Sequence, residues 1–382
     1  MSIAFFDKIL SLFTSIVPFL VVLLIIVFVH ELGHFLIARY NGVKVTTFSI
    51  GYGSELFGWT DKKGTRWRIS ALPIGGYVMM LGDADATSVK ADLANVKEED
   101  LGNTVHSKTP FQRMMISIGG PLFNVIFTIG LIIAISLVKG IPDIIPEIQE
   151  VLKGSVASKC GLQVGDVITG VGNHQITKLS EMSKHLNEFS GKDVIIRVKR
   201  NNNEKAVTAH LFEIENEKKV PISRLGIVLT GQMIYEKVSV SKAAIYAVNY
   251  CSVAFKSLIA GLVKTITRQK DGIKLGSIFS IGEGLNKSLD KGFISLLTFM
   301  AMLSFSLAFF NLLPIPVLDG GSIFLNFVEI VIRRPIPAVA TNVIYFIGIC
   351  LVGIMMVVAL WNDVEKYGFF EKVASLINWF KK

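Results

Sequence analysis

Residues 30–34 read His30-Glu31-Leu32-Gly33-His34, and they lie inside an apolar run that begins at Ile16 and resumes with Phe35-Leu36-Ile37. Ile16 to Val29 carries no charge and a single breaker, Pro18. A run of this length is enough for a helix to cross a bilayer. Residues i and i+4 share one face of a helix, so His30 and His34 are placed to hold one metal ion. Glu31 stands beside them, where a carboxylate can activate water. Three ionisable groups in one turn are costly in lipid and mark function there. The pentad predicts zinc hydrolysis, and its setting places that chemistry within the membrane.

The rest of the composition agrees. Of 382 residues, 51% are hydrophobic and only 18% charged, and the mean hydropathy is +0.54. These values describe a membrane protein that carries some soluble mass. The net charge of +9 suits basic loops facing anionic membrane lipid. No basic-aromatic module points to nucleic acid as a partner. Cys160, Cys251 and Cys350 are far apart and odd in number, which argues against a disulfide framework. Cys350 falls in an apolar run and is expected to be a small buried side chain.

Four spans are expected, at about Leu10–Ala38, Met114–Val138, Phe293–Leu313 and Val339–Leu360. The first is read as a retained span rather than a signal peptide, because its apolar stretch is long, its basic flank is only Lys8 and no cleavage site follows. Lys44, Lys62, Lys63, Arg66 and Arg68 lie between the first two spans, and Arg333 and Arg334 between the last two. The positive-inside rule makes both loops cytoplasmic, which places both termini outside.

Residues 1–138 thus form the first half of a membrane core, 293–361 the second half, and 362–382 a C-terminal surface helix. The cytoplasmic loop 40–111 looks β-rich: Val43 to Ile50, Trp67 to Leu72 and Tyr77 to Leu81 read as strands broken at Gly51-Tyr52-Gly53, Pro73 and Gly75-Gly76. They are apolar enough to dip into the membrane edge. Asp83 to Asp100 reads as a polar, acidic, mobile segment. Residues 142–214 form a soluble module, and 215–292 connect it to the membrane. Within that connector, segment 241–264 gathers Lys242, Asn249, Lys256 and Lys264 on one side at helical period, so it reads as an amphipathic helix at the interface.

A tetrahedral catalytic zinc site takes three protein ligands and keeps one position open. The third ligand is sought in Asn311-Leu312-Leu313-Pro314-Ile315-Pro316-Val317-Leu318-Asp319-Gly320-Gly321. Asp319 offers a carboxylate, Pro314 and Pro316 stop the helix, and the glycines let the chain turn inward. His106, His174, His185 and His210 lie in soluble segments without paired spacing and read as surface residues.

The two motifs together resemble the bacterial site-2 proteases of the regulator-of-sigma-E protease type. Gly119-Gly120-Pro121-Leu122-Phe123-Asn124 is similar to the family's Gly-Pro-x-x-Asn signature. Gly154-Ser155-Val156-Ala157, Gly161-Leu162 and Gly165-Asp166-Val167-Ile168 resemble a bacterial PDZ domain. The chain has room for one such domain where members of this type often carry two. Ser322 stands where a histidine is common, and Gly276-Ser277-Ile278 where many members have Gly-Pro-Ile.

The resemblance implies a polytopic α-helical protein of the bacterial inner membrane. It would have four spans, a membrane-reentrant β element near Gly75 and Gly76 that pairs with substrate, and one extracytoplasmic PDZ domain. It implies Zn²⁺ on His30, His34 and Asp319, Glu31 as the base, and Asn311 holding the substrate backbone or stabilising the oxyanion. Substrates would be single-span membrane proteins, pre-trimmed by another protease, anti-sigma factors among them. Two other readings are weighed. A catalytically silent PDZ scaffold would not need Glu31, and a zinc transporter would spread polar groups along several spans.

Overall fold

The structure is a computed structural model of the chain, and it describes residues 2–82, 96–189, 191–211, 213–215, 221–223, 225–267 and 278–366. Two compact units emerge, one made of Met1–Ile135 with Ala244–Lys382 and the other of Ser136–Ala243. The first unit opens with helix α1 (Ser2–Tyr40), strands β1 (Val45–Thr60) and β2 (Arg66–Met80), and helix α2 (Pro110–Lys139). It resumes with α5 (Val240–Ile266), α6 (Ile278–Asp290), α7 (Phe293–Asn311), α8 (Asp319–Ile332) and α9 (Ala338–Lys366).

Five described helices are long and apolar enough to cross a membrane: those spanning Val17–Tyr40, Pro110–Lys139, Val240–Thr265, Phe293–Asn311 and Val339–Val364. That is one more than the four expected, and α5 is the addition. Ala243, Ala247 and Cys251 are buried along one stripe of α5, while Lys242, Asn249 and Lys256 are exposed. Cys350 is exposed on α9 rather than buried, because α9 leaves most of its apolar surface uncovered by protein. Residues 362–366 continue α9 rather than starting a separate helix. Residues 367–382, 83–95 and 276–277 lie outside the described residues.

Helices α1 and α2 cross at glycines. A Cβ on Gly33 would stand 2.1 Å from the Gly119 carbonyl oxygen, so the two backbones touch. One residue on, His34 Nδ1 lies 2.8 Å from the Ile116 carbonyl, so the helices run antiparallel. Ser304 Oγ donates to the Asn124 carbonyl at 3.0 Å, and Thr128 Oγ1 to that of Ala301 at 3.2 Å. Contacts that fall in α7 as they rise in α2 make this pair antiparallel as well. Helices α1 and α7 therefore run in the same direction.

Strands β1 and β2 are long and bent, and each pairs with the other twice. Residues 45–50 lie between 76–80 on one side and 66–69 on the other: Phe48 pairs with both Val78 and Trp67, and Ile50 with both Gly76 and Ile69. Residues 55–60 then pair with 66–70. The breaks expected from the glycines are real, since Gly51, Gly53 and Gly75 all take positive φ. They bend two continuous strands where three separate ones were expected. Segment 76–80 is one edge of this small sheet, and 55–60 is the other. The latter exposes Leu56, Phe57 and Trp59.

The sheet is fastened to α1. Phe35 and Phe48 are 3% and 1% exposed, and Trp67 stacks on Phe48 with centroids 4.4 Å apart. Arg39 donates to Asp61 Oδ2 at 2.6 Å and to Thr65 Oγ1 at 2.9 Å, and Trp67 Nε1 donates to Asp61 at 3.2 Å.

The second unit holds β3 (Ile141–Ile144), β4 (Glu147–Val151), α3 (Val156–Cys160), β5 (Val167–Val171), β6 (His174–Gln175), α4 (Leu179–Glu188), β7 (Asp193–Arg200) and β8 (Asn203–His210). After them come β9 (Glu213–Glu215), β10 (Pro221–Ser223), β11 (Ile227–Thr230) and β12 (Met233–Glu236). Its main sheet runs β11-β4-β5-β7-β8, with β6 on β5. Ile148, Ile168, Val171, Ile196, Val198 and Leu211 fill its core. Because β11 joins this sheet, the unit extends well past the 142–214 read from sequence.

One buried ion pair ties the core. Asp166 is fully buried and takes Arg200 Nε at 2.6 Å and Nη2 at 2.7 Å on its two oxygens. Burial pushes its carboxyl up, but the Arg200 bonds outweigh that and hold it below the ordinary range. The lowered pKa adds stability that is complete above about pH 4 and fades as pH falls through the folded value. Asp166→Ala is expected to cost this unit roughly 2 kcal/mol at neutral pH, since it removes the buried acceptor of the Arg200 and Gln163 N–H groups. Amide exchange across β5 and β7 in the full-length protein measures the loss.

Candidate metal centre

Three donor side chains converge where α1, α2 and the start of α8 meet. His30 Nε2 and His34 Nε2 are 3.2 Å apart. Asp319 Oδ2 lies 3.1 Å from the first, and Asp319 Oδ1 lies 3.3 Å from the second. The two rings stand nearly perpendicular, at 81°, with their Nε2 atoms both turned to the Asp319 carboxylate. Tetrahedral zinc with nitrogen and oxygen ligands at about 2.0–2.1 Å would separate those ligands by about 3.3 Å. The donor set and its spacing fit a zinc ion.

Each element is shaped to deliver its donor. The pentad spacing puts both histidines on the face of α1 that meets α2. Across from them sits Gly120, where a Cβ would stand 2.3 Å from His34 Nε2 and 2.7 Å from His30 Nε2. Asp319 is the first residue of α8, where a carboxylate is favoured by the helix dipole. It is brought there by a tight loop after Pro314 and Pro316, in which Val317 holds a φ of +82°. Left-handed backbone is strained for a β-branched residue and recurs at functional sites. Gly320 lets the loop close, because a Cβ would stand 2.1 Å from the Leu313 carbonyl oxygen.

The other residues expected at the site are close by. Glu31, His34 and Asp319 line an open cavity of about 180 Å³ together with Val78, Met80, Ile116 and Ser117. Gly76 sits against Glu31, since a Cβ there would stand 3.4 Å from Glu31 Cγ. Gly75 makes the bend one residue earlier, and the Tyr52 hydroxyl donates to the Gly76 carbonyl at 3.0 Å. Asn311 ends α7, and its amide lies 3.4 Å from His30 Nε2. All seven residues singled out in the sequence thus lie in one region. Ile116 was not singled out, for its backbone carbonyl has no sequence signal.

A second cluster is different in kind. His174, His185 and Glu188 bring donor atoms together on the other unit, although spacing alone did not pair them. Their imidazoles stack face to face at 3.9 Å and 11°. In-plane lone pairs of parallel rings cannot meet at one ion, so this cluster does not share the geometry of the first. His106 and His210 are exposed, as expected.

The model of peptidase family M50 matches residues 18–355. The chain belongs to peptidase family M50. A protein of Mesorhizobium japonicum named as a zinc metalloprotease is 33% identical, over 91% of this chain and 98% of its own length. Metalloprotease MmpA of Caulobacter vibrioides is 32% identical, over 94% of this chain and 98% of its own. The PDZ domain of an SdrC-like protein of Listeria monocytogenes matches 22% of this chain and 85% of its own at 21% identity, with a TM-score of 0.19. The chain is therefore a zinc metalloprotease of the site-2 protease type and a multi-pass membrane protein.

Gly120→Ala tests the close fit beneath the histidines. Helix propensity alone favours alanine by about 1 kcal/mol, so helix weakening is not the expected effect. The added methyl would displace the two ring nitrogens, and zinc affinity is expected to fall at least about tenfold, the scale on which disturbed ligand support acts. Competition with a chromogenic chelator measures it.

Proposed function

We propose that this protein cuts single-span membrane proteins within or near their spans, with Glu31 as the base at a zinc site made by His30, His34 and Asp319. The observation that carries the reading is the cavity that brings the Glu31 carboxylate, two zinc donors and the edge segment of β2 together. Zinc, when bound, supplies Lewis acidity, acidifying water and polarising a carbonyl oxygen. Glu31 takes the proton of the attacking water and delivers it to the amide nitrogen that leaves. It ligates nothing in this arrangement, which suits an acid-base role. Asn311, beside the donor set, offers its amide to the substrate backbone or to charge developing on the scissile oxygen.

A helical substrate hides its backbone in internal hydrogen bonds, so it must open before attack. Segment 76–80 bonds to β1 on one side only, and its Gly76 end lies against Glu31. An unwound substrate added there as a further strand would recover backbone hydrogen bonds beside the base. Exposed Leu56, Phe57 and Trp59 suit a sheet tip that enters the membrane edge.

Helix direction supports four crossings. Because α1 and α7 run the same way, an even number of crossings separates α2 from α7 if α2 itself crosses. Helix α6, at about 20 Å for its length, is too short to return a crossing made by α5. Helix α5 therefore lies at the interface in this reading, its lysines toward water and headgroups. The second unit is then extracytoplasmic, the active site lies toward the cytoplasm, and the protein resides in the bacterial inner membrane. The PDZ-like unit restricts entry to substrates already trimmed by another protease, and a released cytoplasmic fragment serves as a signal, as it would from an anti-sigma factor.

Glu31→Gln should keep zinc and fold yet lose cleavage of a reporter span by at least about 100-fold. Metal content and cleavage are read on the same preparation, and substantial residual cleavage removes Glu31 from the role. Asp319→Ala, by contrast, should lower both zinc occupancy and activity.

Replacing Ile141 through Glu236, from the first strand of the soluble unit to its last, by a flexible Gly/Ser linker should relax substrate choice while leaving the chemistry. The variant is expected to cut both a full-length membrane substrate and one lacking its extracytoplasmic domain, and the parent to prefer the latter. A variant that folds, retains zinc and cuts neither would rule out a gate.

A further inference from the structure

His30 has a second ring nitrogen that the metal site does not use. Its Nδ1 lies 3.3 Å from the side-chain amide of Asn124, a residue with no exposed surface. With the amide nitrogen turned to His30, Asn124 Oδ1 is buried without a hydrogen-bond partner among the described residues. The two ends of an amide are nearly the same shape, and hydrogen-bond chemistry decides which end faces a neighbour.

That chemistry is set by the donor set. An imidazole that offers Nε2 to a metal carries its proton on Nδ1. A protonated Nδ1 and an amide NH₂ are both donors and cannot bond to each other. Turning the amide end for end places Oδ1 against the Nδ1 proton, makes the bond, and moves the oxygen out of the place where it had no partner.

His34 supplies the internal comparison. Its Nδ1 lies 2.8 Å from the Ile116 carbonyl oxygen, which can only accept. Both histidines therefore rest their far nitrogens on α2, at Ile116 and Asn124, with Gly120 midway between. Positions four and eight residues apart share one helix face. The backbone of Asn124 is held in turn, since its carbonyl accepts from Thr128 Oγ1 at 2.9 Å and Ser304 Oγ at 3.0 Å.

We propose that Asn124 is a positioning residue of the zinc site, its Oδ1 accepting the Nδ1 proton of His30 and so fixing the tautomer that presents Nε2 to the metal. This rests on the zinc-site reading given above. Residues that orient metal-bound histidines in this way are worth about 10–100-fold in metal affinity.

The test uses full-length protein, stripped of metal and titrated with Zn²⁺ against a chromogenic chelator. The visible spectrum of the Co²⁺-loaded form and thermal unfolding are recorded alongside. Asn124→Asp keeps an acceptor and removes the donor, whereas Asn124→Leu keeps the size and removes both. Asn124→Asp is expected to bind zinc within about threefold of the parent, and Asn124→Leu about 10–100-fold more weakly. The Co²⁺ bands should shift in Asn124→Leu and return in Asn124→Asp. Parent-like affinity in Asn124→Leu would overturn the proposal. So would weak binding by a folded Asn124→Asp, because it would mean the amide donates. If Asn124→Leu does not fold, Asn124→Asp decides alone. Asp319→Ala separates the two levels: parent-like affinity there means the ligand set is wrong and both ideas fall. Lost affinity there with none lost in Asn124→Leu leaves the ligand set standing and removes Asn124 from the positioning role.

Discussion

The crossing of α1 and α2 at Gly33 and Gly119 is the constraint on which the membrane unit depends. With a Cβ on Gly33 standing 2.1 Å from a carbonyl oxygen, neither position admits a larger residue without the helices parting. That contact sets the depth at which His30 and His34 meet α2. It brings Ile116 within reach of one imidazole and Asn124 within reach of the other, and it leaves Gly120 as the floor beneath both Nε2 atoms. Small residues at membrane-helix crossings let backbones approach closely, where packing replaces the hydrophobic drive available in water. Here the close approach also builds a polar site in an apolar setting. Ser304 and Thr128 extend it, binding α2 to α7 through hydroxyls that donate to backbone carbonyls. The helix that ends at Asn311 and leads to Asp319 is thus keyed to the same crossing.

Much of this is legible in the residues because the chemistry is expensive in lipid. Two histidines and a glutamate in an apolar run need a reason, and a missing third ligand directs attention to the carboxylate in the Pro/Gly turn after Asn311. The donor atoms meet at 3.1–3.3 Å, as that reasoning requires. Glycine positions between α1 and α2 likewise mark real bends at Gly51, Gly53 and Gly75.

Other features were not legible, for identifiable reasons. Strand continuity through a bend is a matter of hydrogen bonds on both sides of residues 45–50, which no local pattern reports. The soluble unit continues to β11 because a distant strand pairs with β4, across a stretch with little patterning of its own. Helix α5 is both long enough to span and charged along one side, so hydropathy and amphipathicity disagree. His174 and His185 are brought together by the meeting of β6 and α4, not by spacing along the chain. Acceptance of a ring proton by the Ile116 backbone leaves no trace in a side chain.

Adjacent faces of α1 divide the labour. His30, Gly33 and His34 turn toward α2, while Glu31, Phe35 and Arg39, spaced by four, turn toward the small sheet. Arg39 bonds to Asp61 and Thr65, and Phe35 packs on Phe48 and Trp67. Glu31 and the sheet edge are thereby anchored to the same two turns of helix. In the proposed reading, a strand laid along 76–80 enters a frame whose origin is already set. Which bond is severed then follows from how the incoming chain is registered on Gly76, and side-chain identity at the cut matters less than the ability to lie flat. The enzyme would work as a gauge, measuring position along an extended backbone rather than reading a motif.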